Sequence, residues 1–259
     1  MLIRKFEIMF NNNNGIPLTD KLVLWKNPLQ IWNMETDEEV NFNSLEEVLN
    51  YNLGKETVRD LIERTDEFIL HYNGGRGASS GLMGGGFTSA GSTGDGFDKA
   101  LFPASFNAIN KTHNSYENTL KHFQQKYASS DHEFGITVDE LGYVSQHIEG
   151  GKSSVMIGGG KGETVIHNHP SGGNFSSTDL ISTAMDNSKG IVATGTKNGK
   201  TTTFSLQKES HFKASQFAKA VKKAQWPTKF NYDEGADWWL KKNQSKYGYT
   251  YTSSFSRGI

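Results

Sequence analysis

The chain has no cysteine, only five prolines and no long apolar run, and its charges cancel. The missing cysteine rules out disulfides, thiol nucleophiles and thiolate zinc fingers together. With 27 basic residues against 28 acidic ones there is no overall basic field to attract nucleic acid, although local patches remain open. Nothing approaches the roughly 18 consecutive apolar residues of a membrane helix. The opening Met1-Leu2-Ile3-Arg4-Lys5-Phe6 lacks the apolar core and small-residue cleavage site of a secretory signal. The expectation is a soluble product that starts in the cytoplasm, with later export left open. At 259 residues the chain can hold one large or two small domains with a real core.

What is plentiful is glycine, 28 residues, and much of it lies in one stretch. From Asn73 to Phe97 runs such as Gly84-Gly85-Gly86 alternate with Ser and Thr. Such a segment buries too little side chain to offset its ordering entropy, so residues 73–98 read as a linker or mobile loop. No Gly-Lys-Ser/Thr closes it, which argues against a phosphate-binding loop. Residues 1–72 then form a small α+β module, 99–225 the main domain and 226–259 an aromatic C-terminal extension. In the module, Leu22–Trp25 and Gln30–Met34 read as strands. Ser44 opens a helix to about Leu53, a second helix begins near Lys55, and Asp66–Tyr72 closes as a strand. Its expected job is to bind a partner or to dock on the main domain.

Chemistry concentrates in His167-Asn168-His169-Pro170, followed by Ser176 and Asp179. Glu163–Ile166 reads as a strand, and on a strand residues two apart share a face, so His167 and His169 can converge on one ion. Pro170 stops the strand and Ser171–Asn174 makes a turn. Ser176 can then start a helix whose first turn returns Asp179 toward the imidazoles. Two neutral nitrogens and one carboxylate leave a tetrahedral position open, the arrangement of a hydrolytic zinc (Zn2+) site. Each part also has a plainer role: Ser176 and Asp179 suit a helix N-terminus, and a His-x-His pair is often structural. Their combination in this order favours the metal.

The order His-x-His-Pro, then Ser-x-x-Asp, resembles the JAMM signature of the JAB/MPN zinc metallopeptidase family, with six residues between His169 and Ser176, one fewer than is usual there. His-Asn-His followed by Pro170-Ser171-Gly172 looks most like its RadC-like and phage-associated bacterial branch, and the resemblance covers roughly Tyr127 to Leu206. It implies an α/β chain with a JAB/MPN-like (cytidine-deaminase-like) α/β/α layered sheet. It also implies a carboxylate from an earlier strand. Glu133, at the entrance of a hairpin formed by Glu133–Val138 and Tyr143–Ile148, is the expected general base; Glu149 and Glu163 are the alternatives. Hydrolysis of a peptide or isopeptide bond by a zinc-activated water would follow, with Ser176 hydrogen-bonding the developing oxyanion. The implied partner is a polypeptide, ubiquitin-like or a neighbouring gene product. The competing reading is a phage-derived structural or binding protein that keeps the metal only for stability.

The remaining elements read as a framework. Tyr116–Tyr127 makes a helix with Leu120 and Phe123 inward. The helix from Ser176 runs to Lys189-Gly190. Ile191–Thr196 and Thr201–Leu206 form a hairpin around Asn198-Gly199, which favours a type I′ turn. Phe212–Ala224 is a basic amphipathic helix ended by Trp226-Pro227, followed by a helical piece with Trp238, Trp239 and Leu240. Tyr247–Tyr251 follows as an edge strand or tail. His113, His122 and His132 have no spacing that suggests a shared site.

Overall fold

The computed structural model describes residues 14–19, 21–64, 98–107, 115–224 and 231–254. The expected strand Asp66–Tyr72, nearly all of the glycine-rich stretch, His113 and the Trp226-Pro227 break lie outside these residues. The architecture is mixed α/β, with two sheets and helices packed on them.

The smaller sheet is an antiparallel meander of β1 (Gly15–Pro17), β2 (Leu22–Trp25), β3 (Gln30–Asn33) and β4 (Glu39–Asn41). Alternation along β2 and β3 gives it two apolar faces. Leu24 and Ile31 pack under α1 (Leu45–Leu49) and α2 (Val58–Arg64), while Val23, Trp25 and Trp32 join the core of the larger sheet. Helix α1 stops four residues before the expected Leu53, and α2 starts at Val58, where Thr57 and Asp60 exchange cap hydrogen bonds. Gln30 hydrogen-bonds Ser215, and Lys219 and Lys223 pair with Glu39 and Asp37. The module is therefore docked on the main domain.

The larger sheet has the order β11-β10-β9-β8-β6-β7-β5. Its strands are β5 (Lys99–Leu101), β6 (Phe134–Val138), β7 (Val144–Glu149), β8 (Thr164–Asn168), β9 (Gly190–Lys197), β10 (Lys200–Lys208) and β11 (Tyr249–Ser253). Among these pairings only β8 with β9 is parallel. The expected hairpins are β6–β7 and β9–β10, the latter turning with positive φ at Asn198 and Gly199. On one face lie α3 (Ala104–Asn107) and α4 (Tyr116–Tyr127), whose Phe106, Phe123 and Tyr127 pack on Ile136, Ile166 and Val192. The opposite face carries α5 (Ser177–Met185), α6 (Ala214–Lys223) and α7 (Tyr232–Tyr247) around Val165, Ile191, Phe204 and Leu206. Residues read as a C-terminal extension thus supply α7 and the edge strand β11, whose Tyr249 and Tyr251 are buried in this core. No helix among the described residues is long and apolar enough to cross a membrane.

Helix α5 ends at Met185 and not at Lys189-Gly190. Gly190 instead begins β9, where a Cβ would stand 2.2 Å from the Leu206 carbonyl of the neighbouring strand. The glycine serves a close strand contact, which in sequence is indistinguishable from a helix stop.

Candidate metal centre

Strand β8 is buried along its whole length and delivers His167 at its end. The chain leaves the sheet at His169, whose N–H donates to the Thr194 carbonyl at 2.8 Å. A turn closed by the Gly172 N–H on the His169 carbonyl then leads to Ser176, the N-cap of α5. There Asp179 Oδ2 accepts the Ser176 N–H at 2.7 Å, and Ser176 Oγ accepts the Asp179 N–H at 3.1 Å. This capping box fixes the carboxylate in the first helical turn, with Oδ1 toward His167 and Oδ2 toward His169.

His167 Nε2 lies 2.9 Å from His169 Nε2, 3.7 Å separate His167 Nε2 from Asp179 Oδ1, and 3.4 Å separate His169 Nε2 from Asp179 Oδ2. One donor atom from each residue falls within 4.8 Å of the others. Donors bound at about 2.05 Å to a tetrahedral ion stand about 3.3 Å apart, so shifts of a few tenths of an ångström produce a coordination set. The tautomer also fits. His169 Nδ1 donates to the Gly173 carbonyl at 3.0 Å, so Nε2 is the nitrogen turned toward the cluster and available to an ion that displaces its proton. The buried His-His-Asp group can hold a metal ion.

Without an ion the cluster holds a proton. Two Nε2 atoms at 2.9 Å cannot both present lone pairs to one another; a proton or a cation must lie between them. Burial pushes His167 down to about 4, so that ring stays neutral. Burial also opposes charge on His169, but Asp179, Glu133 and the Gly173 carbonyl outweigh it and push that ring up to about 9. For Asp179, burial acts upward, and His167, His169 and the Ser176 cap overcome it, holding the carboxyl well below the usual range.

Glu133 faces the same cavity. It precedes β6, two residues before Gly135, which pairs with His167 in the β6–β8 ladder, so Glu133 lies on the histidine side of the sheet. It is 7% exposed and lines the cavity with His167, His169, Ser176 and Asp179. Burial pushes its carboxyl up to about 7, with Asp179 and Asp98 adding to the rise and His169 opposing it. Neither alternative acid joins the cavity wall. Glu163 sits at the far end of β8, accepting from Ser145 and the Gly160 N–H, and Glu149 ends β7 opposite Phe134 and Lys99.

Asn168, between the two histidines, was not singled out by the sequence reading. Its side chain lies on the α4 side of β8 and is fully buried. Its Oδ1 accepts the Phe134 N–H at 2.6 Å and its Nδ2 donates to the His132 carbonyl at 2.9 Å. Both bonds grip the peptide units that flank Glu133. A second brace comes from α7: Asp233 Oδ1 accepts the Asn174 N–H at 2.8 Å, and Asn174 Nδ2 donates to Tyr251 Oη at 3.0 Å. The loop between His169 and Ser176 is thereby tied to the C-terminal segment. His122 and His132 lie outside the cavity wall. Comparisons with family models, curated proteins and solved structures return no match to this chain.

Proposed function

We propose that this chain is a zinc-dependent hydrolase of the JAMM type with a JAB/MPN-like main domain, cutting a peptide or isopeptide bond in a polypeptide. Glu133 carries the reading. A metal kept only for stability has no use for another buried acid beside it, whereas a hydrolase needs one that exchanges a proton near neutrality. The layered sheet, with His167 and His169 at the end of β8 and Asp179 in the first turn of α5, supports the same assignment.

His167, His169 and Asp179 would hold the ion, two imidazoles and a carboxylate being a donor set that zinc accepts with one position open. Bound zinc supplies Lewis-acid polarisation and lowers the pKa of water. Glu133 accepts the proton of the attacking water and returns it to the leaving amine. Ser176 Oγ, held by the Asp179 N–H, donates its own proton to the oxygen on which charge develops. His169 keeps its Nε2 lone pair inward through the Gly173 carbonyl.

Metal analysis of purified protein should find zinc in the wild type and none in His167→Ala/His169→Ala. Glu133→Gln should keep zinc and lose peptide turnover by about 10²–10⁴-fold. Wild-type protein that holds zinc but cleaves no member of a randomised peptide mixture would be a structural or binding protein, and absence of zinc would end the metal assignment.

A further inference from the structure

The cavity that holds the metal ligands continues past them toward the small sheet. Along β8, Val165 lies two residues before His167 on the same face, about 7 Å away at roughly 3.3 Å per residue. Along α5, Ile181 and Met185 follow Asp179, with Met185 about 9 Å farther along the axis at 1.5 Å per residue. Ile157, from the segment after β7, and Met34, just beyond β3, line the cavity as well. All five line one cavity of about 910 Å³ together with His167 and Asp179. Met34 and Ile157 are partly buried against the core cluster containing Val165, Ile181 and Met185. The small sheet is fixed at this spot, because the Asn14 N–H donates to the Met185 carbonyl at 2.6 Å and Asn14 Nδ2 to the Asp186 carbonyl at 3.0 Å.

We infer that the apolar end of the cavity is a specificity subsite, built jointly by the small sheet and the main domain. It takes an apolar side chain of a polypeptide substrate two or three residues from the bond that is cut. The inference rests on the hydrolytic reading above. An extended peptide advances about 3.3 Å per residue, so an offset of about 7–9 Å from the ligands corresponds to that spacing. A chain is the occupant because the metal ligands and Met34 line one cavity of about 910 Å³, long enough in this direction for several residues of an extended peptide. The side chain is apolar because Met34, Ile157, Val165, Ile181 and Met185 offer methyl, thioether and methylene groups. Polar wall residues beside them are already engaged, Asp186 by Lys208 and the Gly159 N–H, and Thr183 by the Asp179 carbonyl, and the cavity's lysines, such as Lys197 and Lys222, are exposed. The N-terminal module thus chooses the substrate while the main domain cuts it.

Zinc-loaded protein incubated with randomised synthetic peptides, with products sequenced by mass spectrometry, tests the subsite. Leu, Ile, Val, Met or Phe should be enriched at the second or third residue on one side of the cut. Met34→Lys should lower kcat/KM for the preferred peptides by about 10–200-fold at unchanged zinc content, and Met34→Leu should restore it. Ile157→Ser, on the opposite wall, gives the same readout should Met34→Lys lower the melting temperature. Cleavage without positional preference, or the same preference in these variants, overturns the subsite and leaves the hydrolytic reading standing. Binding to Glu133→Gln separates the two further. A fluorescein-labelled peptide with leucine at alternate positions should bind more tightly than its serine counterpart, and Met34→Lys should abolish the difference even if no bond is ever cut. Equal binding of the two peptides overturns the subsite.

Discussion

At the scale of single residues the site divides into what a sequence displays and what it hides. His167, His169 and Asp179 are legible because strand period and helix capping are local rules, and both place side chains within a short stretch. Glu133 is not local; only the family resemblance pointed to it, since strand order decides its position. Asn168 reads as a spacer, although a buried polar side chain facing away from two histidines must find partners, and it finds them on either side of Glu133. Asn168→Ala should therefore do two things. It leaves a buried N–H and a carbonyl unpaired, lowering stability by about 1–3 kcal/mol in urea unfolding. It also frees Glu133, so turnover should fall while zinc content holds. Glu133 carries a pH signature of its own. Its folded pKa of about 7 lies above its ordinary value of 4.5, so the folded state holds that proton more tightly than the unfolded chain. The resulting stabilisation is fully present below about 4.5 and is lost as pH rises through 7, an effect on the order of 3 kcal/mol. In unfolding of chelator-treated protein from pH 4.5 to 8, wild type should lose stability of that order relative to Glu133→Gln, whose amide stands in for the protonated acid and does not titrate.

Elements were legible where their signals are short-range. Asn198-Gly199 announces the β9–β10 turn, and Ser115 caps α4 at the expected start, accepting from the Asn118 N–H. Ends were harder, as Gly190 shows: its meaning depends on Leu206, a strand away. The role of α7 was also hidden. Its sequence displays Trp238 and Trp239, but the contribution to the site comes from Asp233 at its start. Asp233→Ala should loosen the loop between His169 and Ser176 and weaken zinc affinity about 10–100-fold in chelator competition, with α7 itself intact.

For the whole molecule, the decisive fact is that Val23, Trp25 and Trp32 of the small sheet share one core with Met185, Phe217 and Tyr249. No composition signal distinguishes a side chain buried in its own module from one buried against another, so the sequence offered docking only as an alternative to binding a partner. A shared core unfolds as a unit: thermal denaturation should show one transition, and Trp25→Ala, which empties a site only 1% exposed, should cost about 3–5 kcal/mol and lower that single transition without splitting it. The tie from Asn174 to Asp233 and Tyr251 has a consequence in time. Synthesis delivers the histidines well before the segment that steadies their loop. A chain still on the ribosome holds the two histidines and Asp179 without their brace, so the site reaches its final geometry only after the rest of the domain has emerged.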